Sequence, residues 1–257
     1  MSAPLPWTAP ANQVPGRGGV ALFLDVDGTL LDFAQLPDAV VTPPGLVESL
    51  AAAQRKLSGA VALVSGRPLA QLDRLFAPLR LRASGVHGAE IRLDPLKEIA
   101  KLAGVVEMPE SLWNDILRIT RRFPGTLAEN KGFSYAVHFR LAPWCEAPLR
   151  AAIEGAVAAQ PPSSVEIMDA HFALDLKRPG SNKGLAIEAF MATPAFSGRT
   201  PVFVGDDKTD ESGFAVASSA GGFGYAVGEL LRGAVGVFKK PGDVRDWLAG
   251  FAGGKAA

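Results

Sequence analysis

Two aspartates separated by one residue follow a short apolar run near the start of the chain. The run is Ala21 to Leu24, and the sequence continues Asp25-Val-Asp27-Gly-Thr. Because side chains alternate along a strand, we expect Asp25 and Asp27 to point the same way. Two carboxylates at the end of a buried strand cost free energy unless a positive charge compensates them. A hard divalent cation with oxygen ligands would provide that compensation; the alternative is an acidic turn in water.

Two further apolar runs also end in polar residues, and a lysine begins a later helical pattern. The polar residues are, in chain order, Ser65-Gly66-Arg67, Lys183, and Asp206-Asp207 followed by Asp210. In an open parallel sheet the site lies outside the carboxyl ends of the strands, so we expect these clusters to meet. At a helix start, the amide groups and the helix dipole favour an anion beside the lysine. Carboxylates, a metal, a hydroxyl and a lysine together indicate phosphoryl transfer.

The order of elements predicts an α/β fold with a second, smaller unit inserted in it. Apolar strands alternate with helical patterns at both ends of the chain, which is typical of a doubly wound parallel sheet. In the middle, Phe133 to Leu141 alternates strictly, and a helix-strand-strand pattern occurs twice. Thr42 is expected to cap the first helix, and Gly221 to Gly224 to form a loop. The predicted organisation is a flexible leader at 1–19, the core at 20–93 and 177–257, and an α+β cap at 94–176.

Composition and charge exclude several classes of function. The 257 residues include 26 basic and 26 acidic side chains, so the charge predicts neither a nucleic-acid surface nor a membrane surface. One cysteine, Cys145, excludes an internal disulfide framework and is typical of a reducing compartment. No apolar stretch approaches the ~18 residues of a membrane span, and the leader lacks the features of a signal peptide. We expect a cytoplasmic protein, with a monomer favoured.

The polar clusters also resemble those of a known group of enzymes. Asp25-Val-Asp27-Gly-Thr, Ser65-Gly-Arg67, Lys183 and Gly205-Asp206-Asp207 match in order the four motifs of haloacid dehalogenase (HAD) superfamily phosphatases. The likeness extends from about residue 20 to 250 and is greater to the trehalose-6-phosphate phosphatase family. The stretches that carry the family likeness are Val64-Ser-Gly-Arg-Pro, Gly85-Val-His-Gly-Ala-Glu, Glu129-Asn-Lys131, Lys183-Gly and Val204-Gly-Asp-Asp-Lys-Thr-Asp-Glu211.

The resemblance implies a HAD-like fold and a mechanism through an aspartyl-phosphate. Asp25 would attack phosphorus, and Asp27 would protonate the leaving sugar oxygen and then deprotonate water. Ser65 and Lys183 would hold the phosphoryl oxygens. Mg²⁺ would be bound by Asp25, the backbone carbonyl of Asp27, and Asp206. The supporting residues implied around the metal and the lysine are Asp207 and Asp210.

The resemblance also implies trehalose 6-phosphate as the small-molecule substrate. The residues expected to bind it are Gly66, Arg67, His87, Glu129, Lys131, His138, Arg140, Asp175 and Lys177. A structural histidine at His87 and a solvated face on the cap strands are the alternatives. Two positions depart from the family: the chain reads Lys177-Arg178-Pro179-Gly180 where Lys-Pro-Arg-Gly is expected, and Asp175 stands where a glutamate is expected.

Two other functions are considered beside this one. A related HAD phosphatase could act on sucrose 6-phosphate or mannosyl-3-phosphoglycerate, because the sugar is chosen by the cap. A catalytically silent sugar-phosphate-binding regulator is the alternative from another class of protein. The presence of Asp25, Asp27, Lys183 and Asp206 argues against a silent protein.

Overall fold

A computed structural model describes residues 19–34, 39–102, 104–170 and 172–252 of the chain. These residues form two compact units, one up to Ala100 and from Asn182 onward, the other Lys101–Ser181. We call them the core unit and the inserted unit; the sequence predicts 94–176 for the insertion. Of the leader predicted at 1–19, all but Gly19 lies outside the described residues.

The elements have the following bounds. The strands are, in chain order, β1 Val20–Leu24, β2 Val61–Val64, β3 Arg82–Gly85, β4 Glu90–Arg92, β5 Ala100–Lys101, β6 Leu127–Asn130, β7 Ser134–His138, β8 Glu166–Ala170, β9 Ala173–Lys177, β10 Thr200–Gly205, β11 Phe223–Val227 and β12 Gly236–Phe238. The α-helices are α1 Leu46–Lys56, α2 Leu69–Leu75, α3 Glu110–Thr120, α4 Glu146–Ala158, α5 Lys183–Met191, α6 Glu211–Ser219 and α7 Pro241–Ala249. Among the described helices, none is long and apolar enough to cross a membrane.

The larger sheet has the strand order β12-β11-β10-β1-β2-β3-β4-β5. Strand β1 lies between β10 and β2 and runs parallel to both, with Leu24 opposite Val204 on one side and Leu63 on the other. This register brings the carboxyl ends of the three strands to one level. The polar residues that follow each strand therefore start from the same edge of the sheet.

Helices cover both faces of this sheet. Every residue from Ala21 to Leu24 is fully buried, and since alternate side chains point to opposite faces, both faces are covered. On one face the Phe23 ring stacks on Phe196, with centroids 5.2 Å apart, and Phe203 packs against Phe214 of α6. Helices α5 and α6 pack on each other, as do α1 and α7. The predicted doubly wound α/β class is confirmed.

Two local predictions in the core unit are wrong, and one strand was missed. Helix α1 begins at Leu46, because Gly45 before it has a left-handed φ of 81° that no helical turn accommodates. The Thr42 hydroxyl instead donates to the Leu75 carbonyl (2.6 Å). Strand β11 starts at Phe223, inside the stretch expected to be a loop. Strand β4, which runs antiparallel to β3, was not predicted.

The inserted unit is an antiparallel sheet with two helices on one side. Its strand order is β6-β7-β9-β8, and β9 pairs with β7 and β8 on either side. One face packs against α3 and α4 in an apolar core that includes Leu112, Ile116, Tyr135, Val137, Leu149, Ile153, Leu174 and Leu176. On the other face Glu129, Ala136, Asp175 and Met168 lie in one row across the four strands. The period-two pattern thus separates an apolar face from a polar face.

Candidate active site

A buried lysine joins the residue after β1 to the loop after β10. The Lys183 ammonium donates to Asp25 Oδ1 (2.8 Å) and to Asp210 Oδ1 (2.7 Å). All three side chains are at most 6% exposed. The other Asp210 oxygen accepts hydrogen bonds from the backbone amides of Asp206 and Asp207, both at 3.0 Å. Asp210 therefore fixes both the lysine and the turn that carries Asp206.

Lys183 is the first residue of α5, and local geometry explains why the helix starts there. The side chain of Asn182 accepts a hydrogen bond from the Leu185 amide (2.9 Å) and so caps the helix. The ammonium is thus held at a helix N-terminus, where a positive side chain is normally disfavoured. The carboxylates of Asp25 and Asp210 outweigh that effect.

Two glycines let the acidic segments approach each other. A methyl group on Gly205 would lie 2.6 Å from both carboxylate oxygens of Asp210. A methyl group on Gly28 would lie 2.5 Å from Asp206 Cγ, and Gly28 also has a left-handed φ of 77°. The next residue, Thr29, donates its hydroxyl to Asp206 Oδ1 (3.1 Å). The turn after β1 therefore packs directly on the Asp206 carboxylate.

Three carboxylates at this edge of the sheet could bind a metal ion. One oxygen each from Asp25, Asp206 and Asp210 lie within 4.8 Å of one another. Both oxygens of Asp210 already accept hydrogen bonds from Lys183 and from two amides, so Asp25 and Asp206 are the better ligands. Carboxylate oxygens are the donors that Mg²⁺ prefers in proteins. The donor set fits a hard divalent cation.

The pKa values of the clustered carboxylates also favour a bound cation. Burial, together with the nearby Asp210 and Asp207, raises the pKa of Asp206 from 3.8 to about 7. Burial raises the pKa of Asp25 and of Asp210 well above the ordinary value, although Lys183 opposes it. The pKa of Lys183 is well above the ordinary value because its neighbouring carboxylates outweigh burial. The cluster has an excess of negative charge that one lysine does not neutralise.

Asp207 is the N-cap of the short 3-10 helix Lys208–Asp210. Its Oδ1 accepts hydrogen bonds from the Thr209 amide (2.8 Å) and the Thr209 hydroxyl (2.6 Å). Burial raises the pKa of Asp207, but Lys183, Thr209 and His87 together outweigh it, so the pKa is below its ordinary value. Asp207 is therefore held as a charged cap on the turn that carries Asp206 and Asp210.

The second aspartate of the opening motif has a different partner. Arg67 binds Asp27 with two hydrogen bonds, Nε to Oδ2 at 2.6 Å and Nη2 to Oδ1 at 2.7 Å. The same guanidinium donates to Gln71 Oε1 (3.2 Å), and the Arg67 amide donates to Ser65 Oγ (3.1 Å). Asp27 is therefore oriented by the loop after β2, whereas Asp25 is oriented by Lys183.

His87 lies in the core unit, next to the loop after β2. It is 6% exposed, and a methyl group built on Gly66 would lie 2.6 Å from two atoms of its imidazole ring. The His87 amide donates to the Ser65 carbonyl (3.1 Å). The structure thus brings Ser65, Gly66, Arg67 and His87 together in one packed group.

The polar face of the inserted unit carries a connected set of charged groups. Glu129 Oε2 lies 3.0 Å from His138 Nε2 and 3.9 Å from the Lys131 ammonium. The Lys131 ammonium also lies 3.4 Å from Asp175 Oδ1. Four of the expected sugar-binding residues are thus neighbours: Glu129, Lys131, His138 and Asp175.

Two other residues expected to bind the sugar have different surroundings. The Lys177 ammonium donates to Glu166 Oε2 (3.0 Å) and to the Ser181 carbonyl (2.5 Å), and its side chain is 6% exposed. The Arg140 guanidinium lies over the ring of Phe172, 5.8 Å from its centroid. Lys177 is used to join the end of β9 to the segment that leaves the inserted unit.

Comparison with known proteins identifies the group to which these features belong. The trehalose-phosphatase family model matches residues 23–230. The chain belongs to the trehalose-phosphatase family. A probable trehalose-phosphate phosphatase of Sinorhizobium fredii is 40% identical over 81% of this chain and 77% of its own length. The trehalose-6-phosphate phosphatase of Escherichia coli is 36% identical over 94% of this chain and 90% of its own length.

Solved structures share the fold of this trehalose-phosphatase family member. The C-terminal domain of a Candida albicans trehalose-6-phosphate phosphatase has a TM-score of 0.85 at 21% identity and covers 98% of each chain. The C-terminal domain of a Candida albicans trehalose synthase regulatory protein has a TM-score of 0.73 at 14% identity, covering 97% of this chain and 99% of that one. The predicted family and enzyme class, a phosphoric monoester hydrolase, are confirmed by the family match.

Sequence reasoning missed two neighbours of the carboxylate cluster in this family member. Thr29 donates its hydroxyl to Asp206 Oδ1, and its place in the Asp25-Val-Asp27-Gly-Thr stretch is the signal that could have added it. The tip of the Phe33 ring would lie 2.6 Å from a methyl group on Gly28, next to Asp206. Phe33 is 44% exposed and fits no periodic pattern, so nothing in the sequence indicates its place.

Proposed function

We propose that this protein is a Mg²⁺-dependent phosphatase that hydrolyses trehalose 6-phosphate to trehalose and phosphate. The observation that carries the proposal is the Lys183 ammonium bound to Asp25 and Asp210 at the end of β1. This arrangement places a carboxylate and a cation side by side at the edge of the sheet, as attack on a phosphoryl group requires. The relatives that are named as trehalose-phosphate phosphatases support trehalose 6-phosphate as the substrate.

The two aspartates take different roles because their partners differ. Asp25 attacks phosphorus, the bond to the sugar oxygen breaks, and an aspartyl-phosphate forms on Asp25. Asp27 gives a proton to the leaving sugar oxygen and later takes one from the water that hydrolyses the intermediate. Arg67 orients Asp27 for both steps through its two hydrogen bonds.

Other residues bind the phosphoryl group and stabilise its charge. Lys183 and the Ser65 hydroxyl would donate to phosphoryl oxygens, with the helix start of α5 adding its dipole. Asp25, Asp206 and the Asp27 backbone carbonyl would hold Mg²⁺. When bound, that ion neutralises charge on the phosphoryl oxygens and on the excess of carboxylates.

The central experiment measures phosphate release from a panel of sugar phosphates, with Mg²⁺ and with a chelator. We expect trehalose 6-phosphate to be the preferred substrate and the chelator to abolish turnover. A preference for sucrose 6-phosphate or mannosyl-3-phosphoglycerate would mean that the proposed substrate is wrong. Full activity in chelator would contradict the metal dependence.

Replacing the nucleophile tests the covalent route. Asp25→Asn should lower kcat at least ~10³-fold on every substrate, because an amide does not form the intermediate. Asp32→Asn is the matched control, because Asp32 is 65% exposed and pairs with Arg245 of α7. Near-normal turnover by Asp25→Asn would contradict the mechanism. A wild-type protein that binds trehalose 6-phosphate without releasing phosphate would instead favour the silent regulator. The C-terminal domain of a trehalose synthase regulatory protein has a similar fold.

A further inference from the structure

Three successive residues between β3 and β4 have left-handed backbone conformations. Their φ angles are 49° at Val86, 53° at His87 and 98° at Gly88. A positive φ is uncommon for any residue but glycine and is a clear outlier for a β-branched residue such as valine. Val86 is only 1% exposed, so the strain lies inside the packed core. Strain of this kind persists only where the surroundings hold it in place, and it concentrates at functional sites.

On one side the strained loop is attached to the segment that follows β2. The Val86 amide donates to the Arg67 carbonyl and the His87 amide to the Ser65 carbonyl, both at 3.1 Å. The His87 ring then covers Gly66, where an added methyl group would lie 2.6 Å from ring atoms Cε1 and Nε2. The loop therefore contacts the Ser65–Arg67 segment through backbone hydrogen bonds and through the packing of the His87 side chain.

On its other side the same loop meets the start of helix α5. A methyl group on Gly88 would lie 2.5 Å from the Asn182 carbonyl oxygen and 3.1 Å from the Asn182 nitrogen. Asn182 caps the helix, and Lys183 is its first residue. The loop thus fills the space between the Ser65 segment and the helix that carries Lys183.

We propose that Val86–Gly88 is a spacer that sets the distance between Ser65 and Lys183, with His87 as its positioning residue. This inference rests on the proposed phosphatase function of the site. His87 then supports binding of the phosphoryl group, whichever alcohol carries it, and does not contact the sugar. Its near-complete burial against Gly66 suits a wedge better than a sugar contact.

The first test compares two substrates and one ligand. In His87→Ala, kcat/KM should fall by a similar factor, about tenfold or more, for trehalose 6-phosphate and for p-nitrophenyl phosphate, because misplaced phosphoryl ligands affect both. Binding of inorganic phosphate with Mg²⁺, measured by calorimetry, should weaken by a comparable factor. A loss restricted to the sugar phosphate, with phosphate binding unchanged, would make His87 a sugar contact and overturn the spacer.

The second test uses the contact between Gly66 and His87. Gly66→Ala should impair phosphate binding, because the new methyl group meets the imidazole. Since His87→Ala removes that clash, the double variant should lose less phosphate affinity than the two single losses combined. Gly155→Ala is the matched control, since Gly155 lies in α4 with open space around its Cβ position. Strictly additive effects of the two substitutions on phosphate binding would overturn the proposed wedge.

Two further measurements separate this inference from its alternatives. If His87→Ala does not fold, His87→Asn replaces it, because asparagine adopts left-handed backbone more readily than most residues. Phosphate binding and p-nitrophenyl phosphate turnover do not depend on the sugar. A wild-type protein that ignores trehalose 6-phosphate would therefore overturn the proposed substrate, while these two readouts would still decide the spacer.

Discussion

At the scale of single residues, the bond between Arg67 and Asp27 is the feature with the most direct consequence for catalysis. The Arg67 side chain is 10% exposed and that of Asp27 is 29% exposed, so the pair lies at the edge of the packed core. A guanidinium matches a carboxylate with two parallel hydrogen bonds, which fixes its orientation as well as its position. Asp27 is held in one orientation, as general acid–base catalysis requires.

Arg67→Lys keeps the charge but removes the paired geometry, because a lysine offers a point charge and no planar fork. We expect kcat on trehalose 6-phosphate to fall by roughly 10- to 100-fold, less than the ~10²–10⁴-fold that general acid–base catalysis contributes, because the carboxyl group of Asp27 is still present. The loss on p-nitrophenyl phosphate should be smaller, since nitrophenolate leaves without needing a proton. Parallel steady-state kinetics on both substrates provide the measurement.

The matched control for this substitution is Arg80→Lys, because the Arg80 side chain is 45% exposed and lies 4.0 Å from Asp73. It should leave both rates unchanged. An equal loss on both substrates in Arg67→Lys would mean that Arg67 supports the phosphoryl site as a whole and not Asp27.

At the scale of elements, the polar face of the β6–β9 sheet contains side chains with two different roles. Glu129 belongs to the connected group with His138 and Lys131. Lys177, at the end of β9, is occupied by Glu166 and the Ser181 carbonyl. The first group has the hydrogen-bonding groups that a sugar requires, while the second holds the end of the sheet together.

We therefore expect Glu129→Ala and Lys177→Met to behave differently. Glu129→Ala should lower kcat/KM for trehalose 6-phosphate far more than for p-nitrophenyl phosphate, because a small aryl phosphate does not use the sugar hydroxyl contacts. Lys177→Met should lower the free energy of unfolding by about 1–3 kcal/mol, because it leaves a buried carbonyl without its donor. It should keep the ratio of the two substrates' kcat/KM values.

Kinetics on the two substrates, with urea unfolding of each variant, decide between these roles. If Lys177→Met unfolds like the wild type and loses kcat/KM only for the sugar phosphate, Lys177 binds the sugar as the sequence predicts. An unselective loss in Glu129→Ala would mean that Glu129 does not bind the sugar.

The elements also show what the sequence can and cannot predict. Strands β1, β2 and β10 are continuous apolar runs, so their existence and the polar residues at their ends follow from composition alone. Strand β4 contains Arg92, which is buried because its guanidinium binds both oxygens of Asp73, at 2.8 and 2.6 Å. No local pattern indicates such a partner, so the segment resembles a loop in the sequence. The residue types of the site were predictable, whereas the left-handed loop at His87 depends on packing between distant segments.

At the scale of the whole molecule, a neutral chain contains a strongly unbalanced site. The 26 basic and 26 acidic residues cancel in number. Around Lys183, however, the carboxylates of buried Asp25, half-buried Asp206 and buried Asp210 lie close together. The charges cancel over the whole chain, but the carboxylates around Lys183 carry a local excess of negative charge. We therefore expect the stability of the protein to depend on protons and metal ions at this site.

The pKa of Asp206 gives the direction of that dependence. Its value of about 7, against 3.8 ordinarily, means that between these values the folded protein holds a proton that the unfolded chain has released. Without metal, stability should therefore fall as the pH rises through this range. In the proposed site Mg²⁺ would take the place of the proton, so it should stabilise the protein more at pH 8 than at pH 5.

Thermal unfolding in chelator and in Mg²⁺, at both pH values, measures this coupling. We expect Tm in chelator to decrease from pH 5 to pH 8 and the gain from Mg²⁺ to increase over the same interval. Asp206→Asn should weaken both trends, because it removes the titrating group and a proposed metal ligand together. Asp243→Asn, in the first turn of α7, should leave them intact, since Asp243 Oδ2 accepts a hydrogen bond from the Lys239 amide and Asp243 does not belong to the carboxylate cluster. A Tm that rises with pH in chelator, or a Mg²⁺ effect independent of pH, would show that Asp206 is not the residue linking charge, metal and stability.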